Sequence, residues 1–299
     1  MLSICIPIYN EVSEKLIFQL QEEFKQIDVT AEIILFDDHS TVNLQYTYQK
    51  LSPLQSVRII NSDTNLGRAK ARNELARHAR YDFLLFIDAD SEILNRNFLA
   101  NYLDAAQKNT VCCGGTRYKQ EKPPKAKRLR WKYGHKRESL SATQRLENPW
   151  LQFTTHHFLI DKDLFLSIQF DENLTQYGHE DSLFGYELQK RNIPVKHINN
   201  PLYHTGLESS QVFLDKTKTG LNNLKQLYLR FGNDPEFTRS IRILRFYEAQ
   251  KSSGMLWFWS VLYRYFNKAM RRQLKGNNPS IFLFNMYKFS YFVSLIKSK

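Results

Sequence analysis

The sequence contains few cysteines and no long apolar segment. Its three cysteines, Cys5, Cys112 and Cys113, have the spacing of neither a disulfide framework nor a metal site. This scarcity favours a reducing compartment, so we expect a cytoplasmic protein. No uninterrupted apolar stretch reaches the roughly 18 residues of a membrane-spanning helix. The chain opens on a strand-like run, and we therefore expect no cleaved signal peptide.

Two signatures of nucleotide-binding proteins are also missing. No Gly-x-Gly-x-x-Gly pattern follows the first predicted strand, and no P-loop pattern occurs. These absences disfavour a dinucleotide-dependent oxidoreductase and a P-loop phosphotransferase. The net charge of +12 nevertheless indicates an anionic ligand or partner, such as a nucleotide, a phosphate, a nucleic acid or an acidic membrane face.

An apolar run that ends in two carboxylates is the most informative segment. Residues 84–87 are all apolar, and Asp88 and Asp90 follow them. Such a run is typical of a strand covered on both faces, which presents ligand-binding groups at its carboxyl end. Residues two apart in a strand point the same way, so the two carboxylates suit a divalent cation that carries phosphate oxygens. A strand that simply ends in a polar turn is the alternative.

Strands alternate with helices through the N-terminal part of the chain. We predict strands at residues 3–9, 32–36, 57–60 and 84–87, with helices beginning after Ser13 and near Arg68. This order predicts an α/β fold with a mainly parallel sheet and helices on its faces. Three of the strands end in acidic or polar turns, which would share one edge of the sheet and form a ligand cleft there.

Several segments, in this order, resemble the motifs of family 2 glycosyltransferases with the GT-A fold. They are Ser-Ile-Cys-Ile-Pro-Ile-Tyr-Asn from Ser3, Phe-Asp-Asp-His-Ser-Thr from Phe36, Asn-Leu-Gly-Arg-Ala-Lys-Ala-Arg-Asn from Asn65, Ile-Asp-Ala-Asp from Ile87, Tyr-Gly-His-Glu-Asp from Tyr177, and His204. The resemblance covers roughly residues 1 to 206 and departs at His39, where the family more often has Gly or Asn. It implies a Rossmann-like GT-A domain over residues 1–206, followed by a helical extension over 207–299.

The resemblance also implies contacts to a nucleotide-sugar donor, most simply a UDP-sugar. The residues that would contact the donor are Pro7, Tyr9 and Glu11 along the nucleotide, Asp38 at the base, Gly67 and Arg68 at the diphosphate, and Asp88 near the ribose. A carboxylate can accept a hydrogen bond from the base, and glycine permits close approach of the backbone to phosphate. A plain turn and a solvated charge are the alternative for Gly67 and Arg68.

A divalent cation, Mn²⁺ or Mg²⁺, and an acidic catalytic pair complete the implied site. Asp90 and His204 would hold the cation together with Asp88, and the cation would neutralise charge on the leaving diphosphate. Asp181 would be the general base of an inverting transfer, with Glu180 positioning the acceptor hydroxyl. Simple capping of the following helix is the alternative for these two carboxylates.

Most of the excess positive charge lies in one segment. Residues 117–147 contain eleven Lys and Arg against three Glu, and Pro123-Pro124 interrupts them. We expect a mobile basic loop there, either merely solvated or acting as a lid over the diphosphate or a contact for an anionic acceptor or lipid. Because nothing else indicates base readout, we expect no nucleic-acid partner.

Residues 207–299 have helical patterns without further motifs. Residues 255–259 and 281–296 are dense in aromatic side chains with Arg and Lys interspersed. We expect these helices to pack on the catalytic domain. The alternative is a peripheral protein at the inner face of the membrane, with Arg264, Lys268, Arg271 and Arg272 on anionic headgroups.

The leading hypothesis is a hexosyl- or N-acetylhexosaminyl-transferase of glycan or polysaccharide biosynthesis. Its acceptor would be a saccharide or a lipid-linked saccharide. A nucleotidyltransferase of similar fold, which would release pyrophosphate, is the first alternative. A non-catalytic carbohydrate- or membrane-binding module is the second, and the presence of all the acidic motif residues disfavours it.

Overall fold

Two compact units make up the chain, which a computed structural model describes over residues 1–174 and 176–297. The first unit comprises Met1–Tyr118, 138–174 and Leu183–Gly206. The second comprises Lys119–Arg137, Gln176–Ser182 and 207–297. Two short segments inside the predicted 1–206 domain therefore belong to the second unit.

The strands and helices alternate in the first half of the chain and give way to helices in the second. The strands are β1 (Leu2–Ile8), β2 (Ala31–Asp37), β3 (Val57–Asn61), β4 (Phe83–Ile87), β5 (Ser91–Ile93), β6 (Val111–Cys113), β7 (Thr116–Arg117), β8 (His157–Asp161), β9 (Val195–His197) and β10 (Leu202–His204). The helices of the first half are α1 (Glu14–Phe24), α2 (Gln45–Leu51), α3 (Arg68–His78), α4 (Phe98–Ala105), α5 (Arg128–Tyr133) and α6 (Ala142–Leu146). Those of the second half are α7 (Lys162–Ile168), α8 (Glu180–Lys190), α9 (Ser210–Phe231), α10 (Pro235–Ser240), α11 (Arg242–Ser252), α12 (Leu256–Leu274) and α13 (Ile281–Lys297).

A seven-stranded sheet forms the centre of the first unit. Its strand order is β3-β2-β1-β4-β8-β6-β9, and β8 runs antiparallel to both of its neighbours while the other neighbouring pairs are parallel. A second sheet has the order β5-β10-β7, with β10 antiparallel to β5 and parallel to β7. The predicted α/β fold with a mainly parallel sheet is confirmed.

Helices cover both faces of the large sheet. Ile4 of β1 lies in one core cluster with Leu16 of α1, whereas Cys5 lies in the other cluster with Leu75 of α3. Helix α1 begins where predicted, because the Ser13 hydroxyl accepts a hydrogen bond from the Leu16 amide at 3.2 Å. Since neither face of the sheet is open to solvent, its polar groups emerge at the strand ends.

The basic segment at residues 117–147 has more regular structure than the sequence suggested. Residues 125–146 form a 3-10 turn, α5, a π-helical turn and α6. Leu129 is fully buried in the second unit, and Arg145 is buried in the first. Short helices show little periodicity, and a buried arginine looks like a surface charge in the sequence, so neither feature was visible there.

The second unit has a helical core of its own. Its buried side chains come from α5, α9, α12 and α13, and they are Leu129, Phe213, Leu214, Met270, Leu274, Ile281, Phe284 and Tyr287. Within the described residues, every helix is too short or too polar to cross a membrane.

Candidate functional site

The loops after β1 and β2 are joined by hydrogen bonds at the carboxyl edge of the large sheet. The Asp38 amide donates to the Ile8 carbonyl at 2.9 Å, directly after the paired ends of the two strands. The side-chain oxygen of Asn10 accepts from the amides of Thr41 and Val42 at 2.7 and 3.2 Å. The two loops therefore form one connected rim.

The turn residues of this rim have unusual backbone angles. Asn10 and His39 have φ values of 62° and 59°, in the left-handed region that favours glycine and tolerates asparagine. This geometry suits Gly or Asn, the residues expected from the resemblance at the position of His39. The histidine ring gains a weak contact in return, with Nδ1 lying 3.4 Å from the Ser62 carbonyl oxygen.

The carboxylate of Asp38 organises the loop that leads into α3. Its Oδ1 accepts a hydrogen bond from the Leu66 amide at 2.6 Å, and its Oδ2 accepts one from the Gly67 amide at 2.9 Å. Gly67 has a φ of 83°, so a side chain at this position would be strained. Burial raises the pKa of Asp38, and the two amide donors oppose that rise. Asp38 therefore fixes the backbone just before Arg68, the first residue of α3.

Asp88, the first acid after β4, forms an ion pair with a buried arginine. The distance from Asp88 Oδ1 to a terminal nitrogen of Arg72 is 2.5 Å, and Arg72 is 1% exposed. Burial raises the pKa of Asp88, while the positive charges of Arg72 and Arg68 oppose the rise. The sequence analysis gave Arg72 no role, although its position four residues after Arg68 on α3 places it one helical turn further along.

Asp90, the second acid, faces His204. The Nε2 of His204 lies 3.4 Å from Asp90 Oδ2. The register of β5 and β10 creates this contact, because His204 is paired with Ser91, the neighbour of Asp90. The chain after β10 then returns to Asp90, whose carbonyl oxygen accepts from the amide and the hydroxyl of Thr205 at 2.8 and 2.7 Å.

Gly206 leaves no space next to the Asp90 carboxylate. A Cβ atom built on Gly206 would lie 2.1 Å from Asp90 Oδ2, which is the oxygen that faces His204. Only glycine therefore fits there while Asp90 keeps its position. The sequence analysis missed Gly206, because the signal for it is a close approach between residues more than a hundred positions apart.

The ring of His204 is held by aromatic neighbours. It stacks on Tyr118 with ring centres 5.5 Å apart and lies 5.4 Å from the ring of His156. The buried Nδ1 atom of His204 has no hydrogen-bond partner among the described residues. The orientation of the ring therefore depends on packing and on the Asp90 contact.

Asp90 and His204 fit a divalent cation in both chemistry and spacing. Carboxylate oxygen and imidazole nitrogen bind such ions at about 2.0 to 2.2 Å, so two donor atoms 3.4 Å apart can share one ion. Among the described residues, no group of three His, Cys, Asp or Glu side chains is placed to hold a metal. A cation at this pair would therefore need further oxygen ligands, such as those of a phosphate or water.

The neighbouring histidines have structural partners. His156 places its two ring nitrogens 3.1 Å from the Ser91 hydroxyl and 3.0 Å from the Thr116 hydroxyl. His157 lies 2.6 Å from the Tyr102 hydroxyl and 2.5 Å from the Gly115 carbonyl oxygen, and burial lowers its pKa to about 4. The two rings therefore connect the start of β8 to β5, to α4 and to residues 115–116.

Glu180 and Asp181 lie in the second unit, in the first turn of α8. Glu180 accepts a hydrogen bond from the Gly178 amide at 2.9 Å, and Asp181 accepts one from the Ser182 amide at 2.7 Å. Both carboxylates are thus held at the amino end of a helix.

The segment before α8 is held against α9 within the second unit. A Cβ atom on Gly178 would lie 2.8 Å from the Cα of Gly220, so both helix and turn use glycine at this contact. The side-chain amide of Asn223 donates to the carbonyl oxygens of Gln176 and Gly178 at 2.9 and 3.0 Å. Neither Gly220 nor Asn223 stands out in the sequence, although both position the segment that leads into the two acids of α8.

The sequence model of the family described as "Glycosyl transferase family 2" matches residues 3–168, more than half of the chain. The chain belongs to this family. The resemblance of the ordered motifs to family 2 glycosyltransferases is confirmed.

One curated relative matches part of the chain, and two solved structures share its fold. A curated relative from Haemophilus influenzae, described as "Uncharacterized glycosyltransferase", is 36% identical over 90 residues, which are 30% of this chain and 29% of the relative. The mannosyltransferase PcManGT from Pyrobaculum calidifontis, solved in complex with GDP-Man and Mn²⁺, has a TM-score of 0.60 at 13% identity over 100% of this chain and 88% of its own. GalNAc-T7, solved with UDP, GalNAc and Mn²⁺, has a TM-score of 0.50 at 19% identity over 68% of this chain and 43% of its own.

In the GT-A fold of this family 2 protein, six of the predicted residues form three groups of two. Asp38 contacts Gly67, and Asp90 contacts His204, both within the first unit. The positions expected along the donor are partly or fully open to solvent at Pro7, Tyr9, Glu11 and Arg68, with Tyr9 51% exposed. Glu180 and Asp181 form the third group, in the second unit.

Proposed function

We propose that this family 2 protein transfers a sugar from a nucleotide-diphospho-sugar to a hydroxyl group of a saccharide or lipid-linked saccharide, with inversion. The observation that carries the proposal is the Asp90–His204 pair at the carboxyl edge of the sheet, with the Asp88–Arg72 ion pair two residues away in sequence. An oxygen and a nitrogen ligand that need phosphate oxygens to complete a cation site match a diphosphate donor.

The donor would lie along the joined loops after β1 and β2. Pro7, Tyr9 and Glu11 would line the nucleotide. A carboxylate has about four lone-pair positions, so Asp38 can accept a hydrogen bond from the base while it holds the amides of residues 66 and 67. A UDP-sugar is the simplest donor, because uracil offers an N–H group to such a carboxylate.

The diphosphate would meet positive charge from two directions. Gly67 lets the backbone approach, and Arg68 is exposed at the start of α3. Asp90 and His204 would hold Mn²⁺ or Mg²⁺, with Asp88 as a further contact to ribose and metal. When bound, the cation would neutralise the charge that develops on the leaving nucleoside diphosphate. The two neighbours in fold that were solved with Mn²⁺ and a nucleotide or nucleotide-sugar support this choice of cofactor.

Asp181 would take the proton from the acceptor hydroxyl, and Glu180 would position that hydroxyl. An inverting transfer needs one base opposite the leaving group and no nucleophile from the protein. The hydrogen bonds that both carboxylates accept hold them in place at the start of α8. The transferred group would be a hexosyl or N-acetylhexosaminyl unit.

Product analysis with the full chain tests the proposed reaction. UDP- and GDP-sugars are incubated with and without MnCl₂, and the released nucleotide and the thermal midpoint are measured. We expect release of nucleoside diphosphate and a metal-dependent rise of the midpoint, because a ligand at 100 times its Kd stabilises the fold by about 2.7 kcal/mol. In a parallel incubation with UTP or GTP and a sugar 1-phosphate, release of pyrophosphate would instead indicate a nucleotidyltransferase. Binding of the nucleotide-sugars without any release, under all donors and acceptors, would indicate a non-catalytic module.

A further inference from the structure

Helix α12 in the second unit carries a row of large apolar side chains on its outer side. Trp257, Val261 and Tyr265 follow one another at intervals of four residues, which places them on one side of the helix. They are 61%, 41% and 69% exposed. Phe258, at the edge of this row, is exposed as well. Single exposed apolar residues are ordinary, but a contiguous row of this size indicates an interaction surface.

The opposite side of α12 already provides its contacts within the fold. Trp259 packs edge-on against Phe289 of α13 with ring centres 4.9 Å apart, and Tyr263 lies 5.2 Å from Tyr291. Met270 is buried in the core of the unit. The outer row is therefore not required to hold the helix in place, and its composition reflects something other than folding.

Cations continue the outer row toward the end of the helix. Lys268 and Arg272 follow Tyr265 at intervals of three and four residues and are exposed. Neither makes an ion pair with another described residue. In the sequence, residues 249–299 contain nine Lys and Arg and no Asp or Glu. The positive charge of this row is thus not balanced by acids nearby in the sequence.

Further cations lie at the turn that follows α12. Arg128 of α5 donates to the Asn277 carbonyl oxygen at 3.0 Å, and Lys132 donates to the side chain of Asn278. The carbonyl and amide groups of this turn accept these hydrogen bonds without neutralising either charge. The basic helix α5 therefore adds to the positive charge at this end of the row.

We propose that Trp257, Val261, Tyr265, Lys268 and Arg272, here called the α12 stripe, dock on an anionic lipid surface. Aromatic and branched side chains would enter the boundary between headgroups and acyl chains, and the two cations would meet the headgroups. Two copies of the stripe would bring like charges together, which disfavours a dimer through this face. Nucleic acid would match the cations but offers no apolar layer to Val261. Docking on lipid is independent of sugar transfer and can be measured without donor or acceptor.

Co-sedimentation of the full chain with lipid vesicles tests this docking. Vesicles of phosphatidylcholine alone are compared with vesicles that also contain phosphatidylglycerol, at low and high salt. We expect binding to the anionic vesicles, weaker binding to the zwitterionic ones, and loss of the difference at high salt. Failure of the wild-type chain to bind anionic vesicles at low salt would overturn the proposal.

Matched variants distinguish vesicle binding through the α12 stripe from nonspecific binding by other surface cations. Lys268→Gln with Arg272→Gln should weaken binding to anionic vesicles about 25-fold, because each cation near such a surface contributes about 1 kcal/mol, or roughly fivefold. The control pair Arg96→Gln with Lys108→Gln removes two exposed cations of the first unit and should leave binding nearly unchanged. An equal loss in both pairs would contradict a role for the stripe.

Substitution of two aromatic residues tests whether the stripe enters the boundary between headgroups and acyl chains. Trp257→Ser with Tyr265→Ser should weaken vesicle binding by about tenfold or more, through the loss of buried apolar area. Tyr46→Ser, a 70% exposed aromatic of the first unit, is the control. Full binding by the aromatic pair, together with equally tight binding of single-stranded RNA, would make the stripe a general polyanion surface and overturn the lipid assignment. A dimer in sedimentation equilibrium that the aromatic pair abolishes would do the same.

Discussion

The two units of this glycosyltransferase carry opposite net charges. The described residues of the first unit contain 17 Lys and Arg against 22 Asp and Glu, a net charge of −5, whereas those of the second contain 24 against 8, a net charge of +16. The candidate donor site is thus built into the negative unit, although its proposed ligand is an anion. If the proposal is right, recognition of a diphosphate there would depend on local groups such as Arg68 and on a cation at Asp90.

The excess positive charge is therefore a property of the second unit. In the sequence, +12 indicated an anionic partner without saying where it would bind. The structure separates a negative unit that contains the sheet edge from a positive unit that contains exposed aromatics. We expect a partner that is attracted by net positive charge to bind the second unit. A partner that is recognised by precisely placed side chains should bind the first unit.

The largest effect should come from the first unit, at Asp90. Asp90→Asn removes a charged ligand from the pair with His204 and should lower transfer by about 10⁴-fold, since metal-ion catalysis provides several kcal/mol and each 1.4 kcal/mol is tenfold. The rise of the thermal midpoint with UDP and MnCl₂ should disappear too. Asp104→Asn changes an exposed acid of the same unit and is the control. A normal metal-dependent shift in Asp90→Asn would rule out its role as a ligand.

A slightly smaller effect on transfer is expected from the second unit, at Asp181. Asp181→Asn should lower transfer by about 10³-fold, because a general base contributes 10² to 10⁴. The thermal shift with UDP and MnCl₂ should remain, since the donor groups of the first unit are untouched. This split between transfer and donor binding is the test. Full transfer by Asp181→Asn would refute the assignment of the base.

Substitution of Arg145 compares the stability contribution of a buried basic residue of the first unit with that of an exposed one of the second. Its guanidinium donates to the carbonyl oxygens of Cys113, Gly114 and Ile198 at 2.8 to 3.0 Å and to the ring of His197. Arg145→Ala should lower the free energy of unfolding by about 3 kcal/mol, because buried acceptors lose their donors. Arg137→Ala, at an exposed position in the same basic segment, should change it by less than about 0.5 kcal/mol. Urea denaturation measures both, and equal effects would contradict the assigned burial.

Gly206 provides the smallest effect and the most local test of the donor site. Gly206→Ala would press a methyl group against Asp90 Oδ2, so the carboxylate must turn away from His204. We expect UDP to bind about tenfold more weakly in the presence of MnCl₂. A tenfold change corresponds to roughly 1.4 kcal/mol of binding free energy, which the displaced carboxylate would no longer contribute. Binding of UDP without metal should change little. Ser52→Ala, at an exposed position of the first unit, is the control in titration calorimetry.

The sequence could predict the features that local patterns encode. Strand β4 ends in acids that a reader of the sequence can see, and the cap of α1 at Ser13 is a local signal. The partners of these acids could not be predicted in the same way. Arg72 becomes the partner of Asp88 only through packing of α3 on the sheet, and Gly206 meets Asp90 through a strand register set more than a hundred residues away.

The charge pattern of the sequence did not reveal which basic residues are buried. Arg145 counted as one of eleven cations in an expected loop, yet it is a buried donor to three carbonyl groups. Nothing in its immediate neighbours distinguishes it from Arg137. The assignment of residues 176–182 to the second unit was equally hidden, because it rests on the contact of Gly178 with Gly220.

The proposed double use of the Asp38 carboxylate would limit how this protein can be re-engineered. The same two oxygens that would read the nucleobase also hold the backbone of the loop before α3. Any substitution made there to change base preference would loosen that loop at the same time. A change of nucleotide selectivity is therefore better sought at Tyr9, which is half exposed and makes no such backbone contact among the described residues.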